Sequence, residues 1–342
     1  MKIKQALTFD DVLLVPKHSG IRNRSEVDLS VDLGKGVKLN IPIVSSNMKT
    51  VTDINMCAAM SLLGGLPIMH RFYSHFGQQL GAYNWAIESS KKSGVMDPVI
   101  GVSVGTLSNG SEELIHSFAK LNVKAICVDV AHGDSQVCID TVEFISKNYP
   151  HMLLIAGNVA TGSGAQNLVD AGADVIKAGV GSGSICLTRI EAGAGVPQLT
   201  ALDEIYEQSD NGKKFKIISD GGLRKSGDCV KALCLSHVVM LGGMLAGTDE
   251  APGETIVVDG KEFKTYSGSS TYKTSHVEGV TGLVANKGPV SKVIDNILQG
   301  IRSGCSYQGA RNLEQLRKNY QFVSISNAGL IESKAHDVIV IK

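Results

Sequence analysis

Residues 125–131 read "AICVDVA", an apolar run whose first acidic group, Asp129, comes only near its end. A strand with one wet face alternates apolar and polar residues. A run without alternation is buried on both faces, as in a parallel sheet. "SQVCIDTVEFISKN" (135–148) follows with helical spacing of its apolar residues, and then a second strand-like run, "LLIAGNV" (153–159). Working outward, the same unit recurs before, in "IPIVSSNM" (41–48), "GLPIMH" (65–70) and "PVIGVSVG" (98–105), and after, in "VIKAGVG" (175–181), "KIISDGG" (216–222) and "HVVMLGG" (237–243). A doubly wound open sheet also alternates strand and helix. The total of eight units instead predicts an α/β fold of the (β/α)8 TIM barrel type. One domain over residues 1–342 is expected, with a flap-like insertion after the eighth strand at about 247–288, polar, glycine-rich and hairpin-like, read as a mobile cover over the barrel mouth, with a floppy surface insertion as the alternative.

The chain has 342 residues, 43% of them hydrophobic, and 33 Lys plus Arg against 33 Asp plus Glu. That length supports one large core. The charge balance speaks against nucleic-acid or membrane-surface binding and for a small-molecule partner. "MKIKQALTFDD" lacks the apolar core of a signal peptide, and no run approaches the roughly 18 apolar residues of a membrane helix, so a cytoplasmic protein is expected. The seven cysteines are odd in number, scattered and never spaced C-x-x-C, which disfavours a disulfide framework or a zinc site. His132, His237 and His276 have no i, i+4 partner, so no metal spacing arises from them.

In such a barrel the chemistry lies at the C-terminal strand ends, which here carry Asn47, His70, Ser103, Asp129, Asn158, the 181–188 loop, Asp220 and Gly242. "SDGG" (219–222) and "LGGM" (241–244) end the seventh and eighth strands, where backbone N–H groups can cradle a phosphate. Each glycine pair taken alone could serve backbone geometry only. Ser184 could add a hydroxyl. Asp220 could accept from ribose hydroxyls or cap the next helix. Cys186, among backbone donors that favour a thiolate, is a candidate nucleophile, with an inert small residue as the alternative. Thr188, two residues on, could pass a proton if a carboxylate such as Glu278 lay near. "GVGSGS" (179–184) does not match the dinucleotide fingerprint, so a nicotinamide would have to bind at the barrel mouth.

Over nearly its whole length the chain resembles the family of IMP dehydrogenase and GMP reductase, through "LTFDDVLLVPKHS", "SSNMKTVT", "DVAHGDS", "IAGNVATG", "GVGSGSICLTR", "GVPQLTAL", "SDGGLRKSGD" and "VMLGGMLAGTDEAPGE". The resemblance implies a purine-nucleotide barrel in which Cys186 attacks C2 of the base while a nicotinamide stacks beside it. It implies phosphate binding by Ser184, Gly221, Gly222, Gly242 and Gly243, and ribose binding by Asp220. Tyr266, Gly268, Ser269 and Ser270 of "YSGSS" would line the nucleotide pocket, and Asp129, Val130, Ala131 and Asn158 the dinucleotide side. Carbonyls of Gly181, Gly183 and Cys186 resemble the family's site for a monovalent cation such as K+. Glu332 and Ser333 match positions that complete a neighbour's cation site, which implies a homotetramer.

Both reactions of the family run through one covalent adduct. "LTFDDVLLVP", "GVPQLTAL" and "SNAGLIESKAHD" resemble the dehydrogenase, whereas "IMHRF" and "EAPGE" look reductase-like. The regulatory insertion usual in dehydrogenases after the second strand is missing. So is the flap's water-activating arginine, for residues 261–292 contain none. Thr188 with Glu278 then resembles the reductase's means of protonating the leaving ammonia. The expectation is an NADPH-dependent GMP reductase converting GMP to IMP. The alternatives are a short-flap, NAD-dependent IMP dehydrogenase and a non-catalytic purine-nucleotide-binding protein. Lys49 in "NMKT" departs from the acidic or neutral residue of both relatives.

Overall fold

The computed structural model describes residues 3–268, 280–335 and 338. Eight parallel strands close into a barrel: β1 (Ile43–Ser45), β2 (Leu66–Met69), β3 (Gly101–Val104), β4 (Ala125–Asp129), β5 (Leu153–Val159), β6 (Val175–Ala178), β7 (Lys216–Asp220) and β8 (Val238–Leu241). Each pairs with its sequence neighbours. β8 returns to β1 with Val239 opposite Ile43, which excludes the open sheet. All eight expected runs form these strands. Most strands are shorter than their runs because the last residues of each run leave the ladder and build the loops of the mouth.

The intervening helices are α1 (Ile54–Leu63), α2 (Phe76–Lys92), α3 (Glu112–Lys120), α4 (Gln136–Asn148), α5 (Gly162–Asp170), α6 (Gln198–Gln208), α7 (Ser226–Leu233) and α8 (Val290–Tyr307). Their ends follow from local chemistry. Asp53 Oδ1 accepts the Ile54 N–H at 2.9 Å to start α1, and Gly64, at φ 81°, ends it in the left-handed region. Helix α8 buries Val290, Ile294, Ile297, Leu298, Ile301 and Cys305, one stripe at helical spacing laid on the barrel. No helix among the described residues is long and apolar enough to cross a membrane.

A hairpin of Val31–Gly34 and Val37–Leu39 sits at the N-terminal ends of β5 and β6, where Lys35 Nζ meets the Met152 carbonyl at 3.0 Å and Asp174 at 2.7 Å. At the opposite end, the segment after β8 forms a three-stranded antiparallel sheet of Thr255–Val258, Lys261–Ser267 and Thr281–Ala285. Two lysines root it. Lys264 Nζ donates to the carbonyls of Thr248, Asp249 and Ala251, and Lys287 Nζ to those of Gly243, Met244 and Ala246. Thr50 Oγ1 accepts the Ser267 N–H at 3.0 Å, so the end of the middle strand is tied to the loop after β1.

Candidate active site

The loop after β6 turns on Gly181, at φ 76°, and closes when the Cys186 N–H donates to the Gly183 carbonyl at 3.2 Å. A single helical turn, Thr188–Glu191, follows. Cys186 Sγ and Thr188 Oγ1 are 3.1 Å apart. Cys186 is partly exposed, whereas the other six cysteines are all 0% exposed. Burial pushes the Cys138, Cys229 and Cys305 thiols up to about 12 and raises those of Cys57, Cys127 and Cys234 as well. One reachable thiol therefore faces the mouth. It lines a cleft of about 1040 Å³ together with Thr188, Ser184, Gly181, Gly183, Asp220, Gly221, Tyr266, Gly268, Asp129, Val130, Ala131 and Asn158.

A second hollow of about 1050 Å³ adjoins it, sharing Ser184, Asp220, Gly221 and Tyr266 and adding Gly222, Gly242 and Gly243. Gly221 and Gly222 have φ of 98° and 76°, and the Gly222 N–H donates to the Ser182 carbonyl at 2.9 Å. A Cβ on Gly221 would stand 2.3 Å from Ser182 Oγ, one on Gly243 3.0 Å from Ser184 Oγ, and one on Gly242 3.1 Å from Tyr266 Oη. Both glycine turns are thus crowded by hydroxyls. Ser184 Oγ and Tyr266 Oη converge at 3.3 Å between them, from the β6 loop and the cover strand. Backbone N–H groups at such turns together with hydroxyls suit an oxyanion.

Three charges meet in the first hollow, and one of them, Asp220, also lines the second. Lys177 of β6, its side chain 4% exposed, places Nζ 2.7 Å from Asp129 Oδ1 and 3.0 Å from Asp220 Oδ2. Asn158 Nδ2 donates to Asp220 Oδ2 at 2.9 Å and to the Gly179 carbonyl at 2.7 Å. Burial works against the Lys177 ammonium, but Asp129 and Asp220 outweigh it and raise its pKa. Burial likewise opposes the Asp129 carboxylate, and Lys177 with Arg71 holds it below the usual range.

Lys177 escaped the sequence reading because it lies inside "VIKAGVG", where the apolar run absorbs it. The available signal was a lysine in a strand covered on both faces, which must find anionic partners. Asn47, expected at the end of the first strand, lines the cleft at 4% exposure and its side chain bears on Asp129. A further cleft residue, Arg71, was missed; its buried Nε has no hydrogen-bond partner within the protein. Of the strand-end residues, His70 and Ser103 lie outside the cleft, at 2% and 0% exposure. His70 stacks on Tyr73 at 4.2 Å, and Tyr73 donates to Asp53 Oδ1 at 2.6 Å. Ser269, Ser270 and Glu278 lie outside the described residues, and with Glu278 the proposed Thr188–Glu278 pair. Among the described residues no group of three His, Cys, Asp or Glu could hold a metal.

Residues 6–336 match the family model described as "IMP dehydrogenase / GMP reductase domain". Among curated relatives, proteins named inosine-5'-monophosphate dehydrogenase are similar along their whole length. That of Nitrosopumilus maritimus is 33% identical, covering 99% of this chain and 100% of the relative. That of Bacillus subtilis is 33% identical, covering 99% and 97%. That of Borreliella burgdorferi is 35% identical, covering 99% and 98%, over 399 aligned positions against 481 for the Nitrosopumilus protein. The dehydrogenase relatives therefore vary in how much chain they carry beyond these 342 residues.

These relatives overturn the expectation of an NADPH-dependent GMP reductase. That expectation rests on one missing residue type in one segment, the arginine absent from 261–292, and on the short connection between the second and third strands. Similarity to named dehydrogenases spreads over nearly the full chain. The geometry around Cys186 could not have prevented the error, since both reactions use the same adduct. With the barrel, the cleft and the match together, the chain belongs to the IMP dehydrogenase/GMP reductase family, oxidoreductases that act on purine nucleotides with a nicotinamide cofactor.

Proposed function

We propose that this protein is an IMP dehydrogenase, oxidising inosine monophosphate to xanthosine monophosphate with NAD. The observation that carries the reading is the single accessible thiol, Cys186, standing 3.1 Å from the Thr188 hydroxyl at the edge of a glycine-lined anion cradle. The dehydrogenase names of the relatives support the oxidative direction.

In this reading Gly221, Gly222, Gly242 and Gly243 receive the phosphate with Ser184 and Tyr266, and Asp220 takes the ribose hydroxyls. Held there, C2 of the base lies over Cys186. Sγ forms a bond to C2 as the C2=N3 π pair moves to N3, which takes up the thiol's proton. NAD, when bound, accepts the hydride that leaves C2. Its place fits the side of the cleft lined by Asp129, Val130, Ala131 and Asn158, in a cleft where the buried Arg71 Nε lacks a hydrogen-bond partner within the protein. Water then adds to C2, Thr188 taking one of its protons and passing it to Glu278; as the C–S bond breaks, the remaining hydroxyl proton goes to the departing Cys186 sulfur and restores the thiol. This assignment supplies a base without the arginine that 261–292 lacks. A monovalent cation such as K+ fits the carbonyls of Gly181, Gly183 and Cys186, an oxygen-only donor set in which Gly183 uses one lone pair on the Cys186 N–H and keeps the other. Glu332 and Ser333 are exposed at the end of the helix Asn327–Glu332, which suits a role in a neighbouring subunit of a homotetramer.

The test is to incubate the protein with IMP and NAD, following reduced cofactor by absorbance and xanthosine monophosphate by chromatography. Turnover is expected, and Cys186→Ala should abolish it while nucleotide binding persists. Absence of xanthosine monophosphate under conditions where the nucleotide binds would overturn the reading.

A further inference from the structure

We propose that Lys177 is a positioning residue that joins the two halves of the cleft, its buried ammonium holding Asp220 on the nucleotide side and Asp129 on the cofactor side in fixed orientation. The inference rests on the assignment of those two sides given above and adds a residue to which that assignment gives no role.

The geometry argues for it from several directions. Asp220 Oδ2 is occupied twice, by Lys177 Nζ at 3.0 Å and by Asn158 Nδ2 at 2.9 Å, so its other oxygen is the one left for a ligand. Asp129 Oδ1 is engaged by the same ammonium at 2.7 Å. Room for the lysine is built into the neighbouring strand. Gly157 of β5 pairs with Lys177, and a Cβ there would stand 2.5 Å from the Lys177 carbonyl and 2.7 Å from its Cβ. Both carboxylates lie within 3.0 Å of one ammonium, and without it two like charges would face the cleft with no cation between them.

The other groups around the triad cannot replace Lys177. Arg71, from the loop after β2, bears on Asp129. Cys127 of β4 and Cys138 of α4 are thiols that burial keeps neutral. Tyr266 reaches toward Asp220 from the cover, and burial raises its pKa too. The ammonium is thus the cation shared by both carboxylates, and it holds the two side chains in place together.

The experiment compares wild type with Lys177→Met, Lys177→Arg and the double variant Lys177→Met with Asp129→Asn. Two readouts are followed from mildly acid to mildly alkaline pH: carboxyl carbon NMR titration of the aspartates, and IMP affinity by calorimetry. In Lys177→Met the two carboxylates should share a proton, their titration should move up towards neutrality, and IMP should bind about 100-fold more weakly below that point. Lys177→Arg should keep the wild-type titration. Removing the competing carboxylate in the double variant should shift the titration of Asp220 back down. A Lys177→Met protein that melts earlier but titrates and binds IMP with the wild-type pH profile would overturn the proposal. Should that variant not fold, Lys177→Gln takes its place with the same expectations. If wild type itself fails to bind IMP, the nucleotide assignment falls, while the carboxyl titration still decides whether Lys177 holds the pair.

Discussion

Cys186 and Thr188 are separated by one residue, and the turn that begins Thr188–Glu191 brings their side chains within 3.1 Å. In the proposed reaction Thr188 handles the proton of the attacking water, a step that follows hydride transfer. Thr188→Val should therefore leave adduct formation and hydride transfer largely intact and slow hydrolysis, lowering kcat by about 100-fold. Rapid-mixing kinetics should show one equivalent of reduced cofactor formed in a burst, followed by slow turnover. Loss of the burst together with the steady-state rate would assign Thr188 to an earlier step. At this scale the sequence was legible where residue type and position coincide. Cys186, Thr188, Ser184 and Asp220 all sit at strand ends and all line the cleft. It was not legible for Lys177 and Arg71, because burial and pairing across strands cannot be read from neighbours along the chain.

At the scale of elements, the eight strands could be read because burial on both faces leaves a distinctive apolar run, and helices such as α4 and α7 because their apolar residues keep the helical interval. The cover was readable only as a hairpin-like insertion. What attaches it, two lysines each donating to three carbonyls, has no local pattern. Lys287 braces the turn that carries Gly242 and Gly243, with distances of 2.6, 3.2 and 2.6 Å to the Gly243, Met244 and Ala246 carbonyls. Lys287→Met should orphan these carbonyls, cost about 1–3 kcal/mol of stability and loosen the proposed phosphate cradle. The expected kinetic result is a raised KM for the nucleotide with little change in kcat. An unchanged KM with a lowered melting temperature would make Lys287 a brace of the cover alone.

For the whole molecule, pH sensitivity should come in part from a group that the chemistry does not use. Burial, with Lys49 adding to it, pushes His70 down to about 4, while Asp53 pulls the other way. The unfolded chain takes up a proton at this residue near pH 6.5, whereas the folded one resists until about 4. Stability from this source is therefore present above 6.5 and falls as pH drops through that window, by a total on the order of 3 kcal/mol. Urea unfolding of wild type and His70→Phe at neutral and mildly acid pH should show a smaller decline in the variant. Equal declines would place the acid sensitivity elsewhere.

The distribution of sulfur has a practical consequence. Six thiols are sealed in the core and one lines the mouth, so towards an alkylating reagent a protein of seven cysteines should behave as a protein of one. Mass spectrometry of the native protein treated with iodoacetamide should find a single adduct, at Cys186, formed more slowly when a purine monophosphate is present. Labelling then counts working sites in any preparation without an activity assay, and a second fast-reacting thiol would report that the barrel wall had opened.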